Sequence, residues 1–371
     1  MHEQDSISTS KKWILTIMAI LLVSTVTLSI AEVAIRLLLP NPAKQSSPDS
    51  ASKQTLTKAL TEYHDTLGWF LKPSTELRHQ GPEFDVVVRT NSHGFRANKD
   101  YSYEKAPGKK RILAIGDSFT FGHGVGNDET YTAFLEDLIP NTEVINLGVS
   151  AYGTDQQLLV LETKGLKYHP DVVILGFYKG DIFRNDDLFH NLLPKPMYKL
   201  EHDGNLVLTH VPVPKEKLNV QNLGLGHKLL RKSRLYRILS ARGRWLLEHL
   251  GYGEAWDITE AILRNMDKTA HQANAKFLVL IFPNEGAIYG NSLVRFIQSR
   301  TIMQMRALLQ RNNIEYIDLT QMFLRQVKKR PNERLYYKID GHPKPIWHKL
   351  VAHTVYQHIL TSKSLQDRKP G

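Results

Sequence analysis

Short, continuous apolar runs recur along the second part of this chain, at residues 111–115, 143–149, 171–178, 276–282 and 314–319. Apolar runs of that length, without polar alternation, suit parallel strands buried on both faces. Stretches with helical spacing separate them, over 154–168, 258–272 and 293–309. Strands alternating with helices predict a doubly wound α/β sheet, whose ligand crevice lies beyond the C-terminal strand ends. The segment 183–256 breaks the rhythm and reads as an insertion with its own helix over 228–250. There lysines and arginines interleave with Leu229, Leu230, Leu235, Ile238, Leu239 and Trp245. Such a helix can lie on an anionic lipid surface, or it can pack its apolar face on the domain and leave the arginines solvated. Either placement suits a lid beside a crevice.

Two further apolar patterns precede the main domain. Residues 67–70 and 84–90 are strand-like, and the second run ends at Asn91-Ser92-His93-Gly94, a turn signature. Residues 67–105 therefore form a small β-rich preface to the main domain, which spans 106–371. At the N-terminus, residues 13–30 carry no charge and follow Lys11 and Lys12. About 18 such residues at 1.5 Å each nearly span a ~30 Å hydrocarbon layer. The apolar pattern runs on to residue 39, interrupted by Glu32 and Arg36 on one helical face. We read 13–39 as a transmembrane anchor, 1–12 as a cytoplasmic tail, and 40–66, rich in Ser, Pro, Ala and Lys, as a stalk. The paired lysines place the C-terminal domain on the extracytoplasmic side of a cytoplasmic (inner) membrane, crossed once. The alternative is a signal peptide cleaved near Ser29-Ile30-Ala31, and the length of the apolar stretch favours the uncleaved anchor.

Charge and cysteine content narrow the chemistry. The net charge of +11 favours anionic surfaces such as phospholipid, acidic glycan or nucleic acid. No recognition helix or aromatic stacking motif supports nucleic acid. The absence of cysteine excludes thiol catalysis and thiolate metal sites.

Two motifs carry candidate chemistry. Gly116-Asp117-Ser118-Phe119 directly follows the first predicted strand of the main domain. A serine there, just before a helix, has its hydroxyl at the mouth of the crevice. Backbone N–H groups at the helix start can stabilise negative charge. Near the C-terminus stands Asp340-Gly341-His342-Pro343. An unassisted serine hydroxyl needs a base within hydrogen-bond reach, oriented by a third group, and histidine beside a carboxylate meets that need. His348 falls in a helix-like stretch and reads as structural. His123 follows the nucleophile turn and reads as a rim residue.

Gly116-Asp117-Ser118 resembles the first block of the SGNH (GDSL-like) hydrolases, and Asn146-Leu147-Gly148-Val149-Ser150-Ala151 resembles the second. Gly176-Phe177-Tyr178-Lys179-Gly180-Asp181 resembles the third, and Asp340-x-His342 the last. The anchor, the preface and the run 88–96 also look like bacterial membrane-tethered members. The resemblance covers roughly residue 109 to the C-terminus. It implies a flavodoxin-like three-layer α/β/α fold with a central parallel sheet, accompanied here by the N-terminal transmembrane helix and the helical insertion. It also implies ester hydrolysis or acyl transfer without metal or cofactor, with Ser118 as nucleophile, His342 as base and Asp340 as its orienter. The N–H groups of Ser118 and Ala151 would hold the oxyanion.

Two positions depart from the family pattern. Ala151 stands where glycine is usual and still offers its N–H. Gly180 stands where an asparagine side chain normally donates to the oxyanion, so that donor is missing unless a neighbour such as Asn185 supplies it. Restoring asparagine at Gly180 is then expected to raise turnover. The resulting expectation is an extracytoplasmic esterase or O-acyltransferase acting on acyl esters, with envelope glycans as the substrate class. A lipid esterase and a catalytically inactive glycan-binding scaffold are the alternatives.

Overall fold

The computed structural model describes residues 9–38, 59–185, 187–190, 193–215, 233, 235–236 and 253–361. These belong to two compact units, one formed by 1–47 with 219–246, the other by 48–218 with 247–371.

In the first unit, α1 (Thr9–Leu38) is a 30-residue helix, roughly 45 Å long at 1.5 Å per residue. Its stretch Thr16–Arg36 has a mean hydropathy of 2.1 and is long and apolar enough to cross a membrane. Apolar side chains such as Trp13, Leu22 and Ile30 stand exposed along it. Glu32 accepts hydrogen bonds from Arg36 Nε at 2.7 Å, Ser233 Oγ at 2.8 Å and Leu235 N at 2.7 Å. A carboxylate at that position of an apolar helix is therefore paired and hydrogen-bonded. The amphipathic helix expected over 228–250 lies outside the described residues, apart from Ser233, Leu235 and Tyr236.

The second unit opens with two antiparallel hairpins. Strand β1 (Thr61–His64) pairs with β2 (Gly68–Leu71), and β3 (Glu76–Gln80) with β4 (Asp85–Arg89). The stalk expected over 40–66 is thus too long. Leu60 is buried and residues 61–64 are a strand, because Trp69, Phe70 and Leu71 opposite them are core residues. At the end of β4 the expected turn forms, with Asn91 Oδ1 accepting from the N–H groups of His93 and Phe95. Gln156 Nε2 donates to Leu67 O at 2.8 Å, and Arg96 Nη2 to Val125 O at 2.6 Å, so the preface is fastened to the main domain.

The main domain follows the strand-helix rhythm. Along the chain come β5 (Lys110–Gly116), α2 (Ser118–Phe121), α3 (Tyr131–Leu138), β6 (Thr142–Gly148), α4 (Thr154–Thr163), β7 (Val172–Tyr178) and α5 (Gly180–Arg184). The insertion then contributes two antiparallel hairpins, β8 (Phe189–His190) with β9 (Leu193–Pro194) and β10 (Met197–Leu200) with β11 (Leu206–Thr209). Its expected limits, 183–256, shift inward, since Phe183 and Arg184 complete α5 and residues 254–256 begin α6 (Glu254–Gln272). The chain continues through β12 (Lys276–Phe282), α7 (Glu285–Tyr289), α8 (Ser292–Arg311), β13 (Glu315–Asp318), α9 (Thr320–Lys329) and α10 (Pro345–Thr361).

Five strands pair in parallel in the order β13-β12-β7-β5-β6. Counted from β5, this is the flavodoxin-like order 2-1-3-4-5, which reverses direction around β5 and opens a crevice beside β7. Strand alternation feeds two cores. Leu113, Ile115, Leu175 and Val279 point to a layer holding Leu158 and Leu161 of α4, Ile262 and Met266 of α6, and the preface aromatics. Ile112, Ala114, Ile174 and Leu280 point to the other, with Tyr131 and Leu135 of α3, Phe323 of α9, and Trp347 and Val351 of α10. Burial on both faces accounts for the unbroken apolar runs. Gly148, at the end of β6, packs directly on α2. A Cβ there would stand 2.3 Å from Phe121 N, so only glycine lets β6 approach the turn that carries Ser118.

Candidate active site

The C-terminal end of β5 delivers Ser118 to the crevice. Asp117 caps the short α2, its Oδ1 accepting from Phe119 N at 2.9 Å, which fixes the turn and aims the serine outward. Ser118 Oγ lies 3.0 Å from His342 Nε2, and His342 Nδ1 lies 2.6 Å from Asp340 Oδ1. Asp340 Oδ1 also accepts from the His342 N–H at 3.1 Å, so the Asp-x-His spacing closes a small loop that brings both groups to the serine. With the carboxylate accepting from Nδ1–H, Nε2 is left to accept the Ser118 proton. The three side chains line an open crevice, with Tyr178, Arg184 and Glu285 also in its wall.

The Asp340 side chain is fully buried and serves two imidazoles. Its second oxygen stands 3.5 Å from His123 Nε2. Burial alone would raise this carboxyl, but hydrogen bonds from His123 and His342 outweigh it and hold it far below the usual carboxylate range. Asp340 thus remains an anion where it can orient and stabilise an imidazolium. His123 is not the rim residue expected from its sequence position. It is buried, and its ring stacks on His342 with centroids 4.1 Å apart. Behind it, His79 from β3 packs edge-on at 4.4 Å, held down at about 3 by burial and then by His123, and so neutral. His123, Asp340 and His342 also bring three ligand-type atoms within 4.8 Å of one another. Asp340 and His342 are already bonded to each other, and His342 to Ser118.

The preface supports this loop directly. Glu83, between β3 and β4, accepts from the N–H groups of Lys338, Ile339 and Asp340 at 2.9, 2.6 and 3.2 Å. The loop carrying Asp340 is therefore clamped by three backbone bonds to a carboxylate more than 250 residues earlier. His348 sits inside α10, fully buried, with Nδ1 accepting from Tyr131 N at 3.2 Å. It caps α3 as a neutral ring, held at about 3 chiefly by burial.

The other expected positions lie as follows. Ala151 is half-buried at φ +72°, a left-handed conformation that costs a non-glycine residue roughly 1–2 kcal/mol. Its N–H has no hydrogen-bond partner among the described residues. Gly180 begins α5 without a left-handed φ, and neither it nor Ala151 is among the residues lining the crevice. Asn185 cannot take the role suggested for it. It is fully buried, its Nδ2 donates to Thr154 Oγ1 at 2.6 Å and Thr259 Oγ1 at 2.7 Å, and its Oδ1 accepts from Asp155 N. Both donors are spent on tying α5 to α4 and α6.

The residue that sequence reasoning passed over is Arg184, one position earlier. Its Nη1 donates to Asp117 Oδ2 at 3.1 Å, Asp181 Oδ1 at 2.7 Å and Tyr152 O at 2.7 Å. Burial alone would lower this guanidinium, but Asp181 and Asp117 outweigh it and raise it. Asp181 itself is pushed well above the usual carboxylate range, first by burial and then by the Asp117 charge. Asp117 therefore caps α2 with one oxygen and anchors Arg184 with the other.

No protein-family model matches the chain, and no curated protein matches it. Solved structures similar to it include the acetyl xylan esterase AlAXEase, with a TM-score of 0.41 and 18% identity over 67% of this chain and 99% of that one. Another is a member of the lipolytic G-D-S-L family from Veillonella parvula, at 0.40 and 10% over 68% and 100%. A catalytic mutant of Axe2, an acetylxylan esterase from Geobacillus stearothermophilus, gives 0.41 and 16% over 71% and 100%. What the crevice can do follows from its own geometry.

Proposed function

We propose that the chain is a serine ester hydrolase or O-acyltransferase of the SGNH type, in which Ser118, His342 and Asp340 act as a catalytic triad. The observation that carries this reading is the hydrogen-bonded line from Ser118 Oγ through both nitrogens of His342 to a buried Asp340, at 3.0 and 2.6 Å, opening on a crevice. His342 Nε2 takes the Ser118 proton as Oγ bonds to the ester carbonyl carbon, and the carbonyl electrons move to oxygen. Collapse of that intermediate breaks the bond to the alcohol, which leaves with the proton from His342. Water then attacks the acyl-enzyme by the same route and releases the acid, whereas a sugar hydroxyl in its place gives acyl transfer. The Ser118 and Ala151 N–H groups are proposed as backbone donors to the oxyanion.

The walls support a substrate class. Arg184, Asn284, Glu285, Asp340 and His342 make the crevice largely polar, with Phe119 and Tyr178 stacked 4.6 Å apart as its aromatic side. This suits a short acyl group on a hydroxyl-rich alcohol, such as an O-acetylated envelope glycan, better than a long lipid chain. Turnover of p-nitrophenyl esters should accordingly fall by at least 10-fold from acetyl to octanoyl. A rate that rises with chain length would point instead to a lipid esterase.

Location is proposed from α1 and the two lysines in its first turns, with the catalytic unit outside the membrane. Protease added to intact spheroplasts should then degrade residues 59–361. A catalytic unit that survives until lysis would reverse the topology.

A further inference from the structure

We propose that Arg184 is the side-chain donor to the oxyanion, its guanidinium occupying the space that Gly180 leaves open. The inference rests on Ser118 being the nucleophile of an acyl-transfer reaction. The negative charge that develops on the carbonyl oxygen must then meet donors beside the Ser118 N–H. Arg184 lies in the same crevice wall, and its side chain is 16% exposed there. Its anchoring points locate it. Nη1 bonds the carboxylate of Asp117, the residue before Ser118, and the carbonyl of Tyr152, the residue after Ala151. One guanidinium nitrogen thus bridges the two backbone segments that carry the proposed N–H donors. Nε and Nη2 have no hydrogen-bond partner among the described residues, so donors remain after the anchoring is complete.

Gly180 explains how the group fits. A Cβ at this position would lie 3.4 Å from Arg184 Nη2, and 2.7 Å from the ring of Tyr178. A side chain here would clash with the Tyr178 ring, while its Cβ would only touch the guanidinium at ordinary contact distance. Arg184 Nη2 thus lies beside the place where a side chain at position 180 would begin, and the glycine keeps the Tyr178 ring close to its backbone. A guanidinium also donates charge-assisted bonds, stronger than those of a neutral amide. The same geometry reverses the expectation that asparagine at Gly180 restores activity.

A strut that merely tied Asp117 to Asp181 would be damaged by the same substitutions, so the test must read the oxyanion itself. Turnover of an oxoester and its thionoester analogue should be compared in the full chain, for the wild type and for Arg184→Gln, Arg184→Lys and Gly180→Asn. Arg184→Gln should lower kcat on the oxoester by about 10²–10³-fold, with KM within about threefold. The oxoester-to-thionoester rate ratio should collapse toward that of the uncatalysed pair, because sulfur accepts hydrogen bonds poorly. Arg184→Lys retains the charge and its pairing with the two carboxylates but lacks the planar fork. It should shift the ratio in the same direction, which covers the case in which the glutamine variant does not fold. Gly180→Asn should lower turnover. A wild type that turns over ester through Ser118 while the arginine variants keep its rate ratio would overturn the role of Arg184 alone, as would a rise in turnover with Gly180→Asn. A wild type without Ser118-dependent turnover would overturn the nucleophile assignment and this inference together.

Discussion

Replacing Ser118 or His342 by alanine should each reduce ester turnover by about 10⁴–10⁶-fold, and the double variant should lose little more. The near-equality of the single losses follows from the geometry. The Ser118 hydroxyl is nucleophilic only while Nε2 at 3.0 Å can take its proton, and without Ser118 there is no acyl-enzyme for His342 to act on. Removing either leaves only what the oxyanion donors and substrate binding supply. Asp340→Asn should cost about 10⁴-fold, because the amide no longer holds Nδ1–H and the ring adopts the wrong tautomer. Steady-state kinetics on p-nitrophenyl acetate checks all three. A His342→Ala enzyme within 10-fold of wild type would remove that residue from the mechanism. Losses that multiply in the Ser118→Ala/His342→Ala double would show that the two act separately.

The largest expected effect on stability is at Lys195, directly after the first hairpin of the insertion. Its ammonium is fully buried against the fully buried Asp155 carboxylate and also donates to Asp187 O at 3.2 Å and Pro196 O at 3.0 Å. Burial pushes the Asp155 carboxyl up and Lys195 opposes that shift. Lys195→Met should destabilise the catalytic unit by about 3–5 kcal/mol, because it strands Asp155 without its partner. Asp155→Asn combined with Lys195→Met should recover most of that loss. Denaturant unfolding of the full-length protein in detergent measures both. A single-variant loss below about 1 kcal/mol would mean the pair is hydrated in solution. Asp155 lies in the first turn of α4, four residues after Ala151, so the same variant should also lower turnover by loosening the segment that carries that N–H.

The parts of this protein that were legible in sequence are those whose physics is local. Strands β5, β6, β7 and β12 read as apolar runs because both faces are buried, and β12 matches its expected limits. Ser118 and the Asp340-x-His342 spacing were legible because the chemistry demands those residue types, and a two-residue spacing can close a loop. The supporting residues were not, because they depend on contacts remote in sequence. Glu83 reaches the loop before Asp340 from the preface, His79 backs His123, and Arg184 reaches across to Asp117. No spacing rule connects such positions. Asn185 misled for the opposite reason. It is near the third block in sequence, but α5 turns its side chain inward to Thr154 and Thr259. At the stalk, composition concealed β1, which is short and gains its place only by pairing with the buried β2.

The central claim is that Ser118 is a nucleophile activated by His342, and covalent trapping tests it most directly. A fluorophosphonate probe incubated with the full-length protein should label one site. Peptide mass mapping should place the adduct on Ser118, Ser118→Ala should abolish it, and His342→Ala should slow it by several orders of magnitude. A protein that takes up no probe, or one labelled equally well after Ser118→Ala, would contradict the assignment.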